Sequence, residues 1–84
     1  MTAEKLVVKY IQKTEAVFKK MKMAEKSVLD PSKVDEIVDE AKRYLEDAKY
    51  YLKKGKPETS LASVAYSEGL LDALRMLGLV KFEW

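Results

Sequence analysis

Residues 32–54, SKVDEIVDEAKRYLEDAKYYLKK, decide the fold. Val34, Ile37, Val38, Ala41, Tyr44, Leu45, Ala48, Tyr51 and Leu52 recur there at spacings of three and four. That spacing draws one apolar stripe along a helix, broad enough to face a core. Ser32 and Asp35 read as a capping box after an Asp30-Pro31 turn. Asp35, Glu36, Asp39 and Glu40 crowd the first turns, and Lys53 and Lys54 the last, so both ends complement the helix dipole. Gly55 supplies a left-handed terminator. Asp39 and Arg43 stand at i and i+4, in the favourable order for an ion pair.

Working outward, residues 2–29 read as a helix capped by Thr2. Its core set is Leu6, Val7, Tyr10, Ile11, Thr14, Val17, Phe18, Met21, Ala24 and Val28. Asp30-Pro31 stops it, because the residue before proline is pushed out of helical geometry. A third helix spans residues 57–77, with Pro57 at its first position and Gly78 as its terminator. Leu79 is placed to fold back onto Leu74. The main face of this helix reads as Ala62, Ala65, Tyr66, Gly69, Leu70, Ala73 and Leu77, with Gly69 marking close approach of another helix. Leu61, Val64, Leu71, Leu74 and Met76 make it apolar elsewhere too. A helix apolar on most sides is surrounded, either by its neighbours or by a second copy. The loops are short, which favours antiparallel neighbours. The expectation is an all-α, up-down-up three-helix bundle, residues 1–84 forming a single domain with a short apolar C-terminal tail at 79–84. Leu79, Val80, Phe82 and Trp84 are too apolar for a free end. They either close their own bundle or dock on a partner.

Composition excludes whole classes of chemistry. The chain has 84 residues, no cysteine and no histidine. Disulfides, thiolate metal sites, His-dependent triads and the His-Glu zinc motifs are therefore absent. No run reaches the length of a membrane span, and the N-terminus lacks a signal-peptide core. A soluble, cytoplasmic protein is expected. Charged residues make up 36% of the chain, yet the net charge is +2. Residues 1–29 carry seven lysines against three glutamates; the remainder is slightly acidic. That balance argues against a dedicated nucleic-acid binder. Asparagine is absent, glutamine occurs once, and fourteen of sixteen basic residues are lysine, a pattern of thermophilic proteins.

Among polar residues the best candidates are Glu68 and Asp72, four apart on the third helix, with Arg75 three residues on. Such a stripe can hold a hard cation, or form an ion-pair cluster at a seam between helices or subunits. Phe82 and Trp84 add an aromatic anchor of the kind that interfaces favour. Ser60, Ser63 and Ser67 read as small polar residues at a solvent edge or a close helix contact. Tyr10, Tyr44, Tyr51 and Tyr66 fit core stripes, and Tyr50 falls off its stripe.

The run RYLEDAKYYLKKG from Arg43, followed by ASVAYSEGLLDALRMLGLVKFEW, resembles an archaeal family, domain of unknown function 357. Residues 43–84 carry the likeness most strongly. Its positions are Tyr66, Glu68-Gly69-Leu70, Asp72-Ala73, Gly78-Leu79 and Phe82-x-Trp84. The resemblance implies a short helical bundle and transfers no catalytic residue. A looser likeness to HEPN-type helical domains lacks the histidine that their nuclease pattern needs.

The functional expectation is a non-enzymatic helical interaction or oligomerisation module, without cofactor or resident metal. A homo-oligomer, a homodimer or another small oligomer by the third helix and tail, or an unidentified protein partner, would occupy Glu68, Asp72, Arg75, Phe82 and Trp84. The alternative is a small RNA- or nucleotide-linked accessory protein, using the Lys-rich first helix and the Glu68/Asp72/Arg75 stripe.

Overall fold

A computed structural model describes residues 2–25 and 29–84 of the chain. Three helices, α1 (Ala3–Lys20), α2 (Pro31–Lys53) and α3 (Pro57–Met76), form the expected up-down-up bundle. Two short strands, β1 (Lys22–Met23) and β2 (Val80–Lys81), make a small ribbon at one end. The molecule is a rod of 41 × 20 × 17 Å. α3 packs most extensively on α2, then on α1, while α1 and α2 touch each other least.

The α2–α3 seam is an antiparallel coiled coil in miniature. Val34, Val38, Ala41, Leu45 and Ala48 are buried on α2, and Ser60, Val64, Ser67, Leu71 and Leu74 on α3. Both sets step by four and three residues, the 3.5-residue period that keeps a seam facing its partner. Small residues meet across it. The Ser67 hydroxyl donates to the Ala41 carbonyl at 2.7 Å, and the Ser60 hydroxyl donates to that of Ala48. α1 adds Val7, Ile11, Thr14 and Val17. The Thr14 hydroxyl is buried and has no hydrogen-bond partner among the described residues.

The helix ends are built largely as read. Thr2 Oγ1 accepts from the Lys5 amide at 3.1 Å. Gly55 and Gly78 each take a φ of 74°. The Lys56 amide donates to Tyr51 O and the Leu79 amide to Leu74 O, at 2.9 Å in both cases. These bonds satisfy carbonyls that a helix end leaves free, and they fold Leu79 back onto Leu74.

Four local readings need correction. α2 is capped by Asp30, not Ser32: Asp30 Oδ1 accepts from the Ser32 amide and hydroxyl at 2.9 Å, with Pro31 at the first helical position. Those bonds hold the Asp30 carboxyl below its ordinary pKa, the backbone bond contributing most. Arg43 pairs with Glu40, one turn back, rather than with Asp39. α1 stops at Lys20 instead of running to 29, because Met21 turns extended and the chain enters β1. Val28, assigned to that helix, lies outside the described residues. Finally, α3 buries the opposite face to the one expected. Ala62, Ala65, Tyr66, Gly69, Ala73 and Leu77 are exposed, while Ser60 and Ser67 are completely buried, at a close helix contact rather than a solvent edge.

Candidate interaction site

The five candidate residues come together, and what brings them together is the tail. β2 pairs antiparallel with β1, Lys22 opposite Lys81 and Met23 opposite Val80. The Ala24 amide adds a bond to Leu79 O at 3.1 Å. Leu79 and Val80 are thereby buried against Val34, Val38 and Leu74, closing the end of the bundle. Beyond Lys81 the chain runs back along α3. Phe82 packs partly on the cluster of Val17, Ala41 and Leu71, and meets Trp84 edge-on at 5.0 Å between ring centroids.

Asp72 is the hub of this clasp. Its Oδ1 accepts from the Trp84 indole at 3.0 Å and from Arg75 Nε and Nη2 at 3.2 and 2.9 Å. The indole bond first, and the guanidinium second, lower the Asp72 pKa from its ordinary value, since both favour the charged carboxylate. Lys13 of α1 completes the arrangement. Its ammonium lies 3.4 Å from Glu68 Oε1 and 4.8 Å from the centre of the Trp84 ring. The guanidinium of Arg75 stands 6.0 Å from the centre of the Phe82 ring. Each candidate side chain thus has an intramolecular partner, so the cluster acts as a seam that straps the tail to α1 and α3. Lys13 was not among the five residues read from the sequence. Only the fold shows that it faces Glu68 and Trp84.

A second surface went unread because it was assigned to the core. The outward side of α3 carries Ala62, Ala65, Gly69 and Ala73, with Tyr66, Met76 and Leu77 at 52, 76 and 65% exposure. These positions step by three and four, so they share one face for roughly four turns. No charged side chain falls among them between Ala62 and Leu77, in a chain that is 36% charged. Tyr66 lies over Tyr44 of α2, ring centroids 4.2 Å apart, which widens the face toward α2. A Cβ placed on Gly69 would meet nothing within 4 Å, so no close approach inside the bundle explains that glycine.

Among the described residues no group of three or more His, Cys, Asp or Glu could hold a metal ion. No described helix is long and apolar enough to cross a membrane.

The family model described as "Protein of unknown function (DUF357)" matches residues 9–80. The chain belongs to the DUF357 family. The DUF357 match takes in most of α1, all of α2 and α3, and the buried Leu79 and Val80. Its span stops short of Phe82 and Trp84, which the sequence reading had counted among the positions of likeness. No curated protein and no solved structure matches the chain.

Proposed function

We propose that this DUF357 chain is a non-enzymatic helical interaction module that associates with a second copy through the outward face of α3. The observation that carries the reading is that face itself: uncharged for about four turns, with two large apolar side chains mostly in water. Gly69 supports it. A glycine inside a helix costs roughly 1 kcal/mol against alanine, and nothing inside the bundle requires one there. Close approach of a second helix does require small side chains, and Ala65, Gly69 and Ala73 line up at four-residue spacing to admit one. A symmetric pair lays the same patch on both sides of the contact.

The tail drops out of the proposed contact. Its apolar residues are spent on the bundle end, and Trp84 is held by Asp72. Glu68, Asp72 and Arg75 are likewise engaged, which leaves the RNA- or nucleotide-linked alternative with the Lys-rich first helix alone. A cytoplasmic, heat-adapted archaeal setting belongs to the proposal and rests on composition and resemblance.

Sedimentation tests the reading. The parent is expected to be a dimer at tens of micromolar. Ala65→Glu combined with Ala73→Glu should be monomeric, with an unchanged far-UV circular dichroism spectrum. A parent that stays monomeric at high micromolar concentration overturns the proposal, as does a dimer that the double variant leaves intact.

A further inference from the structure

The ribbon end of the rod carries a conflict. Lys22 and Lys81 are directly opposite each other in the two-residue ladder. Opposed residues project to the same side of such a pair, with Cβ atoms about 4.5–5.5 Å apart, and like charges there are destabilising. Lys20 and Arg75 line the same shallow cavity of about 510 Å³, with Phe82 and Glu83. Arg75 is committed to Asp72. Lys20, Lys22 and Lys81 make no ion pair with another described residue. Three ammonium groups facing one carboxylate, Glu83, leave two positive charges unbalanced.

The helix dipoles account for part of this arrangement. Lys20 and Arg75 lie in the last turns of α1 and α3, where cations are favoured. They do not account for a lysine placed on each strand of the ribbon, in register. A bound anion with several oxygens does, because it can accept from both ammonium groups at once and turn their repulsion into attraction.

We propose that the cavity at the β1–β2 ribbon is a binding site for a small phosphate-bearing anion, held by Lys20, Lys22 and Lys81. The two unbalanced charges set the ligand class: a dianion or higher, which phosphate and polyphosphate groups are at neutral pH and a single carboxylate is not. The site is independent of the outward face of α3 and of the association proposed there.

The test is thermal unfolding in chloride buffer with added inorganic phosphate, inorganic tripolyphosphate or a nucleoside triphosphate. A ligand that binds only the folded state raises the melting temperature in proportion to the logarithm of its concentration over Kd. The parent is expected to gain several degrees with millimolar tripolyphosphate, and none with sodium chloride at equal ionic strength. A nucleoside triphosphate matching tripolyphosphate assigns the binding to the phosphate chain alone; one that shifts it further adds base contact at Phe82. Both support the site. The Lys22→Gln, Lys81→Gln variant should melt higher than the parent without ligand, since the like-charge pair is relieved, and should lose the ligand shift. Lys5→Gln with Lys9→Gln, on the first turns of α1, should keep it. The proposal is overturned by no shift in the parent, by an equal shift with chloride, or by a shift that the ribbon variant retains. It is also overturned if the α1 variant abolishes the shift, which would mean diffuse attraction along the first helix, as for a nucleic-acid strand.

Discussion

The two faces of α3 are both apolar, yet only one is buried in the bundle. The inward face carries two serines among its five buried residues, while the outward face is nearly all alanine, glycine, leucine, methionine and tyrosine. Average hydrophobicity therefore does not separate the two faces. What selects the inward face is shape and spacing. Ser60 and Ser67 are seven residues apart and meet Ala48 and Ala41, also seven apart, where the backbones come close enough for hydroxyl-to-carbonyl bonds. A buried hydroxyl with a partner is tolerated in a core, and a small one lets two helices approach. The lesson is that helix packing rewards a 3.5-residue register of complementary sizes more than it rewards grease.

The sharpest way to break this comparison is to truncate a leucine on each face. Leu71 is completely buried and Leu77 is largely in water. Leu71→Ala should cost about 2–5 kcal/mol, the range for a core leucine that leaves a cavity. Leu77→Ala should stay within about 0.5 kcal/mol, as for most surface changes. Urea unfolding of dilute protein measures both; equal losses would mean that both faces are buried.

Ser67 sharpens the inward side. Ser67→Leu should cost about 1–3 kcal/mol by overpacking the close seam. Ser67→Ala should cost on the order of 1 kcal/mol, the net value of one hydrogen bond. If hydrophobicity governed the face, leucine would stabilise instead, and a midpoint raised by Ser67→Leu would reject the register account.

How much of this was legible follows from the kind of signal involved. The buried stripe of α2 was readable, since its polar face is heavily charged and the stripe stands out, though its cap and the Arg43 partner were not. The Gly55 and Gly78 terminators were readable because only a left-handed residue closes a helix that way. The face of α3 was not: two apolar sides give no contrast, and the deciding register is a relation between α2 and α3. The end of α1 was hidden for a similar reason. Nothing local after Lys20 breaks a helix; β1 forms because residues some sixty positions later offer it a strand. Glu68, Asp72, Arg75, Phe82 and Trp84 were found as chemistry-bearing residues, but their mutual contacts depend on where the tail turns.

On the outward face, Gly69→Ala should stabilise dilute, monomeric protein by up to about 1 kcal/mol, because the position is open and helical. The same substitution should weaken self-association, since the added methyl meets the second helix. Thermal melts at low and high protein concentration separate the two effects. A destabilised monomer would show that Gly69 is needed inside the bundle after all.

The smallest expected effect lies on the flank between the two faces, where Asp72 holds the tail. Its folded carboxyl is more acidic than the ordinary value of 3.8, through the Trp84 indole and then Arg75. A lowered folded pKa means that the unfolded chain binds the proton more readily. The stabilising contribution is therefore complete well above pH 4 and is lost as pH falls through the folded pKa. Asp72 is exposed, so solvent weakens the interaction and the effect on global stability is small. The local effect is easier to see, because Trp84 is the sole tryptophan. Its emission should shift on acidification below about pH 4, before the helical signal falls. Asp72→Ala should give the released emission already at pH 7 and no acid step. Asp30 also has a lowered carboxyl pKa, but it caps α2 and does not touch the indole, so its protonation registers in the circular dichroism instead. An acid step in Trp84 emission that persists in Asp72→Ala would assign the clasp to another group.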